Sequence, residues 1–400
     1  MKKYHYLFAF AFFLALGLSI MAFSLIFRLA DRFFFNPGQI GIFIALGQVF
    51  YFIGLFLYYR FGSVFNPIKV FSVSSVIIFL ATIPLIFTRT YIILYVSFFL
   101  IQVNIGLFWP PVMAWLSSGL ERQELNRGLG FYNRSWMAGQ LLGPLFAGIL
   151  YPWNSNFTFF VVSFACFLAI PIIFLMKRKI KNSPGNLHTV DPSEGEIQEA
   201  VLLDEQRSKS FSLFRYRGWI SGLSALLFLG VLANVVPLHI RDGLGHTELS
   251  AGILLFLRCI ASFLGFIIFA RFTAWNFSRR WFLVLQCGLL FCTLALMFFG
   301  NNLFFYFFIV LLYGLIFAAC YNNSIFYSGA TGGNNKKNFA IQEIYLCAGN
   351  AAGTAGGGLF YQMFGFLGVC IALFLVLSLS SIVLVALNRA DYRLAPCVGQ

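Results

Sequence analysis

Three charged side chains stand where charge is costly. Arg134, Arg258 and Glu343 fall inside long apolar runs of a 400-residue chain. A charge at the centre of a bilayer costs about 2.5–3.5 kcal/mol on insertion scales, so each needs a partner, a proton or a polar cavity. Glu343 is the only acidic residue well inside an apolar run, about a turn and a half from its end, and Arg134 lies at comparable depth in an earlier run. Three readings of this pair stand: an ion pair that is structural or latches a gate, binding of substrate or proton, or contact with lipid headgroups. Arg258 lies deeper, facing either a cavity or polar backbone and the rim formed by Asp31 and Asp242.

Spacing adds a second signal. Asn133, Gln140 and Ala147 recur every seven residues and so share one helix face, as do Glu343, Asn350 and Gly357. A polar or small stripe that recurs in this way is expected to border an aqueous cavity. The alternative is interhelical hydrogen bonding, worth only ~0.6 kcal/mol per contact.

Other chemistry is missing. The four histidines (His5, His188, His239, His246) are scattered, and no nucleophile–base arrangement, phosphate loop or carboxylate pair is present. No enzyme is expected. Of the eight cysteines, Cys397 alone lies outside the apolar runs, and no pair has metal-ligand spacing. Neither a metal nor a cofactor is expected, with proton or ion coupling left open.

The elements that must hold these residues are set by composition. The chain is 60% hydrophobic and only 10% charged, with a mean hydropathy of +0.85. A bilayer can solvate that much apolar surface, and spans of about 20 residues satisfy its thickness. Long uninterrupted runs rather than short alternating ones select helices. Twelve are expected, near 7–28, 39–58, 68–87, 92–116, 128–151, 156–176, 218–240, 249–270, 281–299, 303–327, 338–362 and 366–387. Turn chemistry separates them at Asn36-Pro37-Gly38, Asn66-Pro67, Pro152-Trp153-Asn154, Gly300-Asn301-Asn302 and Gly332 to Asn335. The first run lacks a small-x-small cleavage site and reads as a retained span.

Charge orients the spans. With the N-terminus inside, only Arg28, Arg32, Arg89 and Arg241 fall in outside segments, and Arg134 and Arg258 fall within spans. The remaining 21 of 27 Lys and Arg lie inside, so both termini are expected in the cytoplasm, with the chain in the plasma (inner) membrane. The net charge of +14 is then a topological signal together with attraction to lipid headgroups, and no nucleic-acid partner is expected. The expected partners are the lipid bilayer and a small-molecule solute, with the monomer as the working unit.

Six runs, a gap and six runs give the organisation: a bundle over 1–176, a polar cytoplasmic linker over 177–217, and a bundle with a short tail over 218–400. The linker's basic flanks are read as headgroup anchors. The two bundles are related by duplication. At an offset of 210, Gly139, Gly143, Gly148 and Tyr151 meet Gly349, Gly353, Gly358 and Tyr361. At an offset of 211, Gly41, Gly54, Arg60 and Asp31 meet Gly252, Gly265, Arg271 and Asp242. Pro144 in the first copy is replaced by Thr354 in the second.

Over essentially its whole length the chain resembles the major facilitator superfamily. The resemblance rests on the six-plus-six pattern, the charged central loop and three local matches. Arg60-Phe61-Gly62 follows the second span, as in the family's loop motif, with Tyr59 in place of its acid. Gly139, Gly143, Pro144 and Gly148 resemble the fifth-span motif, with Ala147 replacing one glycine. Gln102 and Gly106 resemble the fourth-span motif, whose arginine position is Phe99 here. The resemblance implies an all-α polytopic membrane protein, twelve transmembrane helices in two pseudo-symmetric bundles, working by alternating access around a midplane site. It also implies that the fourth and tenth spans line the cavity, which makes Gln102, Asn104, Trp109, Tyr321 and Asn323 candidates beside the stripe residues. Arg60, Gly62, Gly139, Gly143, Pro144, Gly148, Arg271, Gly349, Gly353 and Gly357 are expected to serve packing and conformational change. The function expected is secondary active transport of a small organic solute, with an anionic or zwitterionic one favoured by the two arginines. The alternatives are a proton-coupled exporter of hydrophobic compounds and a transporter-like receptor or scaffold that does not cycle.

Overall fold

The computed structural model describes residues 5–61, 67–117, 122–181, 205–271, 278–330 and 335–394. All regular structure among them is helical. In chain order the helices are α1 (His5–Phe33), α2 (Pro37–Phe61), α3 (Pro67–Phe87), α4 (Tyr91–Ser117), α5 (Arg122–Trp153) and α6 (Ser155–Lys181). They continue with α7 (Glu205–Leu238), extended by a π turn (His239–Gly243), then α8 (Glu248–Arg271), α9 (Arg279–Phe299) and α10 (Leu303–Ala330). The helical segment Asn335–Leu394 is broken at Gly365, whose φ of 68° and ψ of −170° no helix contains. It is therefore two helices, α11 (335–364) and α12 (366–394), which makes twelve among the described residues.

Local chemistry explains the breaks. Pro37 and Pro67 open α2 and α3 at the first helical position, where a missing N–H is harmless. Asn154 caps α6 by accepting the Phe157 N–H at 3.0 Å, and Asn302 caps α10 by accepting the Phe304 N–H at 3.0 Å. α1 ends on Phe34, whose φ of 56° places a non-glycine residue in the left-handed region, while the Phe35 N–H returns to the Leu29 carbonyl at 3.0 Å. Within the expected linker 177–217, α6 continues to Lys181 and α7 starts at Glu205.

The chain forms two compact units. The first takes Met1–Asn36, Phe43–Val190 and Pro237–Cys259; the second takes Pro37–Ile42, Asp191–Val236 and Ile260–Gln400. In the first unit α1 packs on both α5 and α6, while α3 packs on α4 and α6. α1 is apolar around its whole circumference, as a helix enclosed by neighbours must be. α2 and α4 cross on reciprocal glycines: a Cβ on Gly54 would strike the Val103 carbonyl, and one on Gly106 would strike that of Tyr51.

Arg28, expected in an external segment, is instead buried at 1% exposure within α1. Its guanidinium donates to the Ile86 carbonyl at 2.7 Å and to Asn156 Oδ1 at 3.2 Å, and lies 4.4 Å from the Phe159 ring centre. Arg32, one turn on, donates to Asn156 Oδ1 at 2.7 Å and to the Phe87 carbonyl at 2.8 Å. These two arginines tie the end of α1 to the end of α3 and the start of α6.

In the second unit α7 is the tie. Tyr313 donates to the Ala225 carbonyl at 2.8 Å, Trp219 Nε1 to Ser328 Oγ at 2.8 Å, and Ser224 Oγ to Ser380 Oγ at 3.1 Å. Arg217 is fully buried, donates to the Leu387 carbonyl at 3.0 Å and stacks over Phe214. Arg215 donates to Asn338 Oδ1 at 2.9 Å. This end of the central segment is thus built into the fold rather than anchored on headgroups, because α7 begins a dozen residues before Arg217.

Arg28→Met should remove charge-assisted hydrogen bonds worth about 1.5–3 kcal/mol and lower the thermal unfolding midpoint of the detergent-solubilised protein. An unchanged midpoint would show that the buried guanidinium does not hold α1, α3 and α6 together.

Candidate functional site

The glycine ridges of the two repeats form matching crossings, one in each unit. In the first unit α5 lies on α1: a Cβ on Gly139 would stand 2.5 Å from the Phe12 carbonyl oxygen, and one on Gly143 would overlap the Ser19 side chain. In the second, α11 lies on α7: Gly349 faces the Leu223 carbonyl and Gly353 that of Leu227. Phe12 and Leu223 are themselves 211 apart, so the duplication reproduces the Gly139 contact at Gly349, whereas Gly143 meets Ser19 and Gly353 meets Leu227, the counterpart of Leu16. Ser19 donates to the Gln140 carbonyl at 3.0 Å in the first copy. In the second its counterpart Gly230 sits against the Asn350 carbonyl, and Asn234 supplies the polar tie instead, donating to Thr354 Oγ1 at 3.1 Å.

A second pair of crossings links elements distant in sequence. Within the first unit α8 rests on α5, where a Cβ on Gly252 would meet the Pro144 carbonyl at 2.5 Å and the Gly148 Cα at 3.3 Å. Within the second the start of α2 rests on α11, where a Cβ on Gly41 would meet the Thr354 carbonyl at 2.5 Å and the Gly358 Cα at 3.2 Å. Gly41 and Gly252 are repeat equivalents, as are Gly148 and Gly358. Each glycine thus lies on the ridge glycine of the other copy, an exchange that offsets alone do not reveal.

The charged and polar candidates separate between the units. In the first, Arg258 is half-buried and donates to Cys259 Sγ at 2.8 Å, and Arg134 is exposed. Gln140 is half-buried. Gln102 packs against Gly47 of α2, and Asn104 is buried with its amide donating to the Leu100 carbonyl of its own helix at 2.8 Å. In the second, half-buried Glu343 is within electrostatic reach of Tyr321 and Cys347. Tyr321 stacks on Phe317 with ring centres 5.8 Å apart. Asn350 is half-buried one turn before Thr354, and Asn323 is fully buried with neither amide atom hydrogen-bonded among the described residues. Gly357 packs against Val231 and Val235 of α7. Arg60 ends α2 beside Phe61. Gly62 and the side chains of Trp109, Asn133 and Arg271 lie outside the described residues.

An ionic cluster joins the ends of α1, α5, α7 and α8 in the first unit. Arg241, in the π turn, contacts Asp31 at 2.9 Å, Asp242 at 2.6 Å and Glu248 at 3.7 Å, with its guanidinium 4.8 Å from the Phe27 ring centre. Tyr151 donates to Asp31 Oδ2 at 3.0 Å. The rim carboxylates Asp31 and Asp242 are therefore held by Arg241. The equivalence of Asp31 and Asp242 at an offset of 211 was the sequence signal for this cluster; Arg241 itself registers there only as one of four external cations. No group of three or more potential metal ligands occurs among the described residues.

Residues 7–341 match the sequence profile of the Major Facilitator Superfamily. No curated protein matches the chain. Among solved structures it is similar to a POT family transporter in complex with 5-aminolevulinic acid, at 14% identity and a TM-score of 0.75, covering 98% of this chain and 97% of that one. It is also similar to one in complex with a thioalcohol-conjugated peptide (13%, TM-score 0.74, 98% and 96% covered) and to a peptide transporter with sulfate (15%, TM-score 0.74, 98% and 95% covered).

If the Arg241 cluster holds these helix ends, a double-mutant cycle with Asp31→Asn and Arg241→Gln should give a coupling of about 0.5–1 kcal/mol that shrinks with added salt. Additive effects on the unfolding midpoint would show that the pair contributes nothing.

Proposed function

Because the chain belongs to the Major Facilitator Superfamily, a family of transporters rather than enzymes, we propose that it moves a small anionic or zwitterionic organic solute by alternating access, as two six-helix bundles over 1–176 and 218–400. The observation that carries the cycling motion is the exchanged pair of glycine crossings, Gly252 on Pro144 and Gly148, and Gly41 on Thr354 and Gly358. Backbone meets backbone there with no side chain interposed, so the helices can slide and separate without unthreading interdigitated side chains. The Arg241 cluster is the gate that accompanies one closed state, since its charges are partly solvated and can exchange protein for water at small cost.

The solute class follows from charge. Two intramembrane arginines, Arg258 and Arg134, against one glutamate, Glu343, favour a solute that carries a carboxylate. Gln140 in the first unit, and Asn350, Tyr321 and Asn323 in the second, are further neutral donors and acceptors. A structural neighbour binds 5-aminolevulinic acid, which carries both an amine and a carboxylate. In this reading the candidate residues stand on α5 and α8 in the first unit and on α10 and α11 in the second, in the plasma membrane with both termini in the cytoplasm. Glu343 is the group that couples solute to a proton gradient.

Two measurements test this. A thermal-shift series of metabolite classes on purified protein, followed by flux in proteoliposomes, should single out solutes with a carboxylate, and Arg258→Gln should lower their uptake at least tenfold while leaving insertion intact. Normal uptake by that variant removes Arg258 from the site. Glu343→Gln should abolish accumulation driven by a pH gradient and preserve solute exchange; retained gradient dependence makes Glu343 structural.

A further inference from the structure

A polar layer crosses the interior of the second unit, among α7, α9, α10 and α12. Ser221 Oγ of α7 donates to Cys320 Sγ of α10 at 3.1 Å. Ser224 Oγ, one turn on, donates to Ser380 Oγ of α12 at 3.1 Å. Gln286 Nε2 of α9 donates to the same Ser380 oxygen at 2.7 Å and to the Leu377 carbonyl at 3.0 Å. Asn323 of α10 belongs to this level. Ile316, seven residues earlier on the same stripe, touches α9 at Gly288, where an added Cβ would stand 2.7 Å from Ile316 Cδ1. Tyr327, one turn after Asn323, meets Phe282 of α9 with ring centres 5.6 Å apart. Gln286 lies between Phe282 and Gly288, so the two amides occupy one level of the bundle on neighbouring helices.

Both amides are buried, Asn323 at 0% and Gln286 at 1% exposure. Gln286 Oε1, Asn323 Oδ1 and Asn323 Nδ2 have no hydrogen-bond partner among the described residues. Two acceptors and an amide donor thus stand where an unmade hydrogen bond is expensive. Whatever satisfies them has to donate and accept. It also has to be neutral. No Asp or Glu lies within 206–238, 279–330 or 366–390, so the four helices offer a cation no countercharge at this level. Glu343 of α11 reaches Tyr321, which stands two residues before Asn323 and so nearly on the opposite side of α10. A cation would, moreover, face the Asn323 N–H groups. Water meets every requirement, since buried water gathers about three hydrogen bonds from such groups, whereas purely apolar spaces stay dry. We infer that this layer is a binding site for ordered internal water, which donates to Gln286 Oε1 and Asn323 Oδ1 and accepts from Asn323 Nδ2, beside Cys320.

The neighbouring sulfur reports on that water. A millisecond X-ray pulse makes hydroxyl radicals from protein-bound as well as bulk water, and a fully buried thiol is oxidised by radicals formed beside it. Cys320 and Cys292 are both buried at 0% exposure, and Cys292 lies almost two turns beyond Gln286 on α9, between Leu289 and Leu296. In full-length protein in detergent, residue-resolved mass spectrometry should find Cys320 oxidised about fivefold faster than Cys292. Asn323→Leu, which keeps the volume and removes the amide, should bring Cys320 down to the Cys292 rate. Thr293→Val removes a hydroxyl already satisfied by the Leu289 carbonyl of its own helix and should leave the ratio unchanged. Equal rates at the two sulfurs in the wild type would overturn the site, as would an Asn323→Leu protein of normal unfolding midpoint that keeps the fast rate at Cys320. The readout is labelling and not transport, so it stands whichever solute the protein moves.

Discussion

The contact on which this molecule depends is a peptide carbonyl lying against a glycine Cα. In hydrocarbon, lipid tails are as apolar as leucine, so burying apolar side chains between helices gains little, and association relies on close packing and polar ties. Glycine permits the closest packing available. At Gly54 on Val103, Gly139 on Phe12, Gly349 on Leu223 and Gly252 on Pro144, an added methyl group would stand within 2.5 Å of a backbone oxygen of the neighbouring helix. Each crossing thus fixes which helices are neighbours and how near they come. Larger side chains such as Phe10, Phe27, Phe43 and Phe228 are buried in what remains, while Phe56, Phe160 and Phe298 stay exposed.

Polar chemistry is distributed around these crossings in two ways. Where a charge must be permanent and structural, it is buried and wrapped in carbonyls, as Arg28 is by Ile86 and Arg217 is by Leu387. In the proposed gate it is left partly solvated, with side-chain exposures of 16% for Arg241 and 45% for Asp31. A buried arginine that loses a partner costs several kcal/mol, whereas an exposed one costs well under one or two. Burial therefore separates the structural arginines from the one in the proposed gate.

Much of this was legible before any coordinates. Apolar run length marked all twelve helices, because a span must match the bilayer, and the offsets of 210 and 211 paired Gly139 with Gly349 and Gly41 with Gly252 because duplicated folds repeat their contacts. The exchange between copies was not legible, since an offset relates equivalent positions and says nothing of which positions touch. Arg28 and Arg217 were misplaced for a related reason: a count of cations per loop treats every arginine near a span end as solvent-facing, although a long side chain one turn inside a helix can reach a neighbour's carbonyls instead. Asn104 illustrates the same limit among candidates for the cavity. Its amide, polar in the sequence, is satisfied by the Leu100 carbonyl of its own helix.

The central claim is that the glycine crossing of α8 on α5 opens and closes during transport while the helices themselves stay intact. Its most direct test is the distance between spin labels at Trp153, at the end of α5, and His246, just before α8, both exposed, in protein reconstituted into nanodiscs. Electron–electron double resonance should resolve two distance populations, whose ratio shifts when the transported solute is added. A single narrow distribution that solute leaves unchanged would contradict the account.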